Sequence, residues 1–197
     1  MKFIGITGGV GAGKSTVLTL LKENYSCEIM LADDVAKLLM EPGHDCFDRV
    51  VALDWPTPVI DETGQINRPL MAQMLYASVD LRLKVNSIVH PAVQDYVLNK
   101  VEEARNNHNI EYFFFEAALL LECGYDKLCD EIWYIFADSM IRRERLKQSR
   151  GYDDARVDAM LKSQLSDEQF RAKSTVVIDN GHSKEETLSQ IVAVLGH

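Results

Sequence analysis

The segment Gly8-Gly9-Val10-Gly11-Ala12-Gly13-Lys14-Ser15 fits the spacing G-x-x-x-x-G-K-[ST]. Glycines let backbone N–H groups turn toward an anion with no Cβ in the way. A helical pattern opens near Lys14 and aims the positive end of its dipole at the same place. In such a loop Lys14 reaches the outer phosphates of a nucleoside triphosphate, and the Ser15 hydroxyl ligates Mg²⁺. These residues indicate a phosphate cradle. They do not say what is done with the phosphate.

Three other groups carry chemistry. Asp33 and Asp34 follow a short apolar run. A carboxylate at a strand's carboxyl end can take a proton from an attacking hydroxyl, or it can cap the helix that begins near Val35. Residue types favour neither. Glu116 ends the run Tyr112-Phe113-Phe114-Phe115, where it faces either a magnesium ion and its waters or plain solvent. Arg142, Arg143, Arg145, Lys147 and Arg150 fall within nine residues, ahead of Gly151 and a second helical pattern from about Asp153. That layout suits a lid closing over phosphates; a solvated basic helix face has the same pattern. A GTP-driven switch would need D-x-x-G and N-K-x-D. Asp61-Glu62-Thr63-Gly64 lacks a proper preceding strand. Asn99-Lys100-Val101-Glu102 sits in an amphipathic helical pattern, with Glu where a guanine-reading Asp belongs. A small-molecule kinase fits better.

The elements that must position these groups are short apolar runs separated by helical patterns. The runs are Phe3 to Ile6, Ile29 to Leu31, Tyr112 to Phe115, Ile132 to Phe136 and Val176 to Ile178. Such alternation predicts a parallel sheet covered on both faces. Helical spacing is expected over 33–40, 68–77, 79–88 and 92–107, with Ser78 as an N-cap. The stretch Asp54-Trp55-Pro56-Thr57-Pro58 marks a loop. A sheet crossover needs only a dozen or so residues, so the 33–109 stretch reads as a helical insert.

The chain has 197 residues and a formal charge of −9, a poor match for a nucleic-acid coat. Cys27, Cys46, Cys123 and Cys129 form no C-x-x-C pair, which argues against a zinc ribbon or disulfide scaffold. No apolar run reaches the roughly 18 residues of a membrane span. A cytoplasmic protein is expected.

Taken in order, these residues resemble the dephospho-CoA kinase family. Gly8 to Ser15 matches the family's loop. Asp33 matches the second aspartate of a D-A-D segment whose first position is Leu31 here, and Glu41-Pro42-Gly43 follows. Arg68 stands at a basic position before a helix, and His90-Pro91 at an H-P turn. Glu116-Ala117-Ala118-Leu119-Leu120-Leu121-Glu122 matches D-x-P-L-L-x-E without the proline. Arg145 matches the lid, while Ser149-Arg150 stands where the family has a later R-D pair. Gln164 and Val177-Ile178-Asp179-Asn180-Gly181 match the C-terminal patterns.

The resemblance implies an α/β, P-loop nucleoside-kinase-like three-layer fold with a five-stranded parallel sheet. Residues 1–31, 109–138 and 173–197 would form the nucleotide core, 32–108 a helical CoA-substrate subdomain and 139–172 the lid. It implies ATP-dependent phosphorylation of the ribose 3′-hydroxyl of dephospho-CoA, the last step of coenzyme A synthesis. Asp33, Lys14 and Arg145 would be catalytic, with Asp33 as base and Arg145 ahead of Arg142 and Arg143. Gly8, Gly9, Gly11, Ala12, Gly13, Lys14, Ser15, Thr16 and Asn180 would bind ATP, and Ser15 Mg²⁺. Asp33, Arg68, His90 and Glu116 would meet the acceptor; residue types allow His90 to be a helix cap as well. The partners would be ATP and dephospho-CoA, with no nucleic acid or membrane, in a monomer or small homo-oligomer.

Overall fold

The structure, a computed structural model, describes residues 1–196. It opens with strand β1 (Lys2–Thr7), helix α1 (Lys14–Asn24) and strand β2 (Cys27–Leu31). Four helices follow: α2 (Ala32–Leu39), α3 (Asp45–Val51), α4 (Arg68–Ala77) and α5 (Val79–Arg105). The rest is β3 (Tyr112–Glu116), a 3₁₀ turn at Tyr125–Leu128, β4 (Glu131–Phe136), α6 (Ser139–Arg150), α7 (Asp154–Lys162), α8 (Asp167–Lys173), β5 (Val176–Asp179) and α9 (Lys184–Leu195). Among the described residues no helix is long and apolar enough to cross a membrane. The chain divides into two compact units, one of Met1–Met30 with the part from Val101 onward, the other Leu31–Lys100.

In the first unit the sheet order is β2-β3-β1-β4-β5, which puts β1 in the centre. Its parallel registers pair Ile4 with Phe114 and Ile6 with Trp133. β1, β3 and β4 are apolar on successive positions, and Phe3, Ile4, Ile6, Phe113, Phe114 and Phe115 are all fully buried. Only a sheet covered on both sides can bury consecutive side chains, because they point to opposite faces. One face carries Ile4, Ile6, Phe114, Trp133 and Ile135 against Val17 and Leu21 of α1 and Ile191 of α9. On the other, Phe170 of α8 stacks on Tyr134 with ring centroids 4.7 Å apart, and Tyr125 meets Phe115 edge to face. α8 is thus bound to the sheet, although the resemblance groups it with the lid.

The five expected strands all form, each within two residues of its expected limits. In the second unit Asn67 caps α4 by accepting the Leu70 N–H at 3.1 Å, and Ser78 caps α5 by accepting that of Leu81 at 3.2 Å. Helix α3 was not expected; its seven residues bury Cys46, Phe47 and Val50 on one face. The larger correction concerns His90-Pro91, which is not a turn. α5 runs unbroken for 27 residues with Pro91 in its interior. Proline removes one helical N–H and crowds the preceding turn. Here Ile88 and Val89 before it, and Val93 and Val97 after it, are buried, so packing on both sides holds one axis.

Asp61-Glu62-Thr63-Gly64 is a tight turn between the bridged residues Ile60 and Ile66, with Asp61 Oδ1 accepting from the N–H groups of Thr63 and Gln65. Asn99 to Glu102 lies inside α5. Neither has the strand-loop setting of a guanine-nucleotide switch.

Gly5 in the central strand has no room for a side chain. A Cβ there would lie 2.9 Å from both Cys129 Sγ and Leu120 Cδ1. Gly5→Ala is expected to cost ~1–3 kcal/mol through overpacking. A thermal melt should then fall by about 2–4 °C for each kcal/mol.

Candidate active site

β1 delivers the chain directly into the glycine-rich loop, and α1 starts at Lys14. Gly11 and Gly13 have φ values of 80° and 84°, in the left-handed region where a side chain is strained. Gly9 is glycine for a different reason. The Arg142 guanidinium occupies the place a Cβ would take.

The loop is held by its carbonyl oxygens. Arg142 Nε donates to Val10 O at 2.9 Å. Arg145 Nη1 donates to Ala12 O at 3.3 Å, and Asn180 Nδ2 donates to Ala12 O at 2.8 Å and to Gly13 O at 3.2 Å. A trans peptide is planar, with its C=O and the next N–H pointing opposite ways. Pinning the oxygens of Val10, Ala12 and Gly13 on one side therefore turns the N–H groups of Gly11, Gly13 and Lys14 to the other. Those N–H groups, with the first-turn N–H of Ser15, share one face, an arrangement suited to an anion.

Asn180 is 3% exposed and is itself fixed. Its Oδ1 accepts from the Thr187 hydroxyl at 3.1 Å, its carbonyl from Arg145 Nη2 at 2.8 Å, and its N–H bonds Phe136 O at 2.8 Å. Both side-chain N–H donors serve the loop, so Asn180 supports the phosphate face from behind. Arg142 is half-buried. Burial lowers its pKa, while nearby Tyr134 and Asp167 favour its charge. Gln164 Oε1 accepts from both Arg142 Nη2 at 2.6 Å and the Val10 N–H at 3.1 Å.

Lys14 Nζ donates to Gly8 O at 2.9 Å and lies 3.5 Å from Glu116 Oε1. The Glu116 side chain is 16% exposed, so it is not a solvated strand end. Ser15, at the start of α1, is exposed and Thr16 partly so. The basic run of α6 divides by face. Arg142 and Arg145 turn to the loop. Arg143 and Lys147 pair with Asp154, and Arg143 also with Asp158, so this side carries balanced charge. Arg145 is therefore not alone, since Arg142 reaches the loop equally. The i, i+3 spacing of the two arginines is the signal that could have paired them.

In the second unit Asp33 is exposed and stands in the first turn of α2. The cap position is Leu31, with no side-chain bond, which removes the capping alternative for Asp33. α2 starts earlier than expected because β2 runs straight into it. Asp34 pairs with Lys37 at 2.8 Å. Arg68 Nη2 donates to Lys37 O at 3.0 Å and ties the start of α4 to α2. His90 lies within α5, so it caps neither end of that helix, and burial holds its pKa below the ordinary imidazole value. Among the described residues no cluster of three or more His, Cys, Asp or Glu could hold a metal ion.

Comparison with known proteins places the same features in a family context. The dephospho-CoA kinase family matches residues 2–186. A dephospho-CoA kinase of Carboxydothermus hydrogenoformans is 31% identical over 195 residues, covering 99% of this chain and 93% of the relative. Among solved structures, a protein from Thermus thermophilus superposes with a TM-score of 0.79 at 24% identity, covering 100% of this chain and 98% of its own. The dephospho-CoA kinase of Campylobacter jejuni gives 0.71 at 18% identity, covering 98% and 94%. These structures share the fold.

Asn180 offers a test of the loop's support. Asn180→Ala takes one donor from Ala12 O and one from Gly13 O, leaving Arg145 Nη1 on the first and the Thr16 N–H on the second, so each lost hydrogen bond should cost ~0.5–1.5 kcal/mol. Asn180→Asp sets a carboxylate against those same oxygens, so it should lower both Tm and nucleotide affinity further than Asn180→Ala. Equal melts and equal affinities for the two variants would contradict the assignment.

Proposed function

Because the chain belongs to the dephospho-CoA kinase family, we propose that it transfers the γ-phosphoryl group of ATP to the ribose 3′-hydroxyl of dephospho-CoA, giving coenzyme A and ADP. The supporting observation is the loop whose pinned carbonyls turn its N–H groups to one side, within a chain matched to the family over residues 2–186. In the transfer the ribose oxygen forms a bond to the γ-phosphorus. The bond from that phosphorus to the β–γ bridging oxygen breaks, and the hydroxyl proton passes to a base.

The loop N–H groups and the α1 dipole hold the phosphates. Lys14, already anchored on Gly8 O, offers its ammonium to the charge that develops on the transferring group. Arg145 adds positive charge beside Ala12. We assign the base to Asp33, a carboxylate unencumbered by capping, two residues past the end of β2. Arg68 and His90 are assigned to the acceptor. Ser15 and Glu116 are a hydroxyl and a carboxylate, hard oxygen donors of the kind Mg²⁺ prefers, and they would hold that ion. Bound there, it would neutralise charge on the β- and γ-phosphates.

The test is a coupled ADP-release assay with dephospho-CoA, adenosine, AMP, shikimate and pantothenate as acceptors. Turnover with dephospho-CoA alone is expected; preference for another acceptor would refute the reading. Lys14→Ala should lower kcat by ~10²–10³ or more at unchanged Tm. Asp33→Asn should lower kcat by ~10²–10⁴ while ATP affinity holds. Asp34→Asn should change little, because Asp34 is paired with Lys37 on the exposed side of α2. Full activity in Asp33→Asn would move the base role to Glu116.

A further inference from the structure

The peptide groups on either side of Val10 are gripped by side chains from the far end of the chain. Gln164 takes the Val10 N–H at 3.1 Å and Arg142 holds the Val10 carbonyl at 2.9 Å. Arg142 Nη2 closes the triangle on Gln164 Oε1 at 2.6 Å. These two contacts belong to successive peptide planes. Fixing the Val10 N–H turns Gly9 O the other way, where it accepts the Ala12 N–H at 3.1 Å and closes the loop's inner turn. Fixing Val10 O turns the Gly11 N–H toward the anion face.

We propose that Gln164 is a positioning residue for the phosphoryl donor. By accepting from Val10 and Arg142 together, it sets two peptide planes of the phosphate loop and aims the Gly11 N–H. A neutral amide oxygen suits the place: it offers two acceptor directions and adds no negative charge beside a site for phosphates. Arg142 contributes a planar fork that donates from Nε to the loop and from Nη2 to Gln164, which a lysine ammonium on a flexible stem cannot reproduce. The close approach of Arg142 to Gly9 leaves it little freedom once Gln164 holds it. Gln164 stands between α7 and α8, so the aim of the loop depends on how that junction is seated.

The proposal rests on the kinase reading for its kinetic test but not for its binding test. In the full chain, Gln164→Leu removes both acceptor directions at nearly constant volume. ATP affinity by calorimetry and the KM for ATP should each weaken about ten-fold, the equivalent of one net hydrogen bond of ~1–1.5 kcal/mol. The KM for dephospho-CoA should stay within about two-fold, since a loss confined to the donor site leaves acceptor binding alone. Arg142→Lys should move the same quantities in the same direction, and it carries the test if Gln164→Leu fails to fold. Because the two residues act as one unit, the double variant should be less impaired than the product of the single effects. Unchanged ATP affinity in the variants, equal weakening toward both substrates, or a multiplicative double variant would overturn the proposal. If the unaltered chain binds ATP but does not phosphorylate dephospho-CoA, the acceptor assignment falls and the affinity comparison still decides on Gln164.

Discussion

A backbone that offers its N–H groups to an anion must send its carbonyl oxygens elsewhere, and those oxygens need donors of their own. This constraint organises the first unit. The loop after β1 is too short and too rich in glycine to satisfy itself. Its outward oxygens are met by Arg142 and Arg145 from α6 and by Asn180 from the end of β5. The sheet order makes that possible, because β1 lies next to β4, and β4 next to β5. The elements that follow β4 and β5 therefore reach the loop's carbonyl oxygens, and Gln164 also takes the Val10 N–H. The aromatic packing of Phe170 on Tyr134 seats α8 against the sheet, and α8 begins three residues after Gln164. Core packing and loop geometry are thus continuous with each other.

Features set by neighbouring residues were legible in the sequence. The five strands were marked by apolar runs that only a doubly covered sheet accommodates, and the loop by glycine and lysine spacing. Ser78 could be identified as a cap from its place before a helical run, and the capping bond is present. The failures occurred where tertiary packing overrode a local rule. A proline normally ends a helix, yet α5 continues through Pro91 because buried side chains on either side fix the same axis. For Asp33 the residue type left cap and base open, and only the structure, where the strand runs straight into the helix and the cap position is Leu31, removes the cap.

The site was legible in half. Lys14, Ser15 and the glycines are found by spacing alone, since the chemistry is carried by consecutive residues. The groups that hold those glycines in place are not. Arg142 is 132 residues from its partner in the loop, Gln164 is 154 away and Asn180 is 168 away. No periodicity or motif links positions so far apart. Asn180 was expected at the nucleotide, and its side-chain donors face the carbonyls of the glycine-rich loop. Glu116 could be placed at a strand end, but its approach to Lys14 depends on the register of β1 with β3, which pairs Ile6 with Glu116.

The bond from Asn180 to Ala12 also has a meaning in time. A ribosome adds about 5–20 residues each second, and domains mature in the order in which they emerge. The glycine-rich loop is among the first residues to leave the tunnel, yet its last side-chain donor is not synthesised until 168 positions later. Through most of its synthesis the nascent chain carries the loop sequence without that donor. A chain interrupted before Asn180 would carry the G-x-x-x-x-G-K-S spacing without the donor that Ala12 O and Gly13 O receive from Asn180.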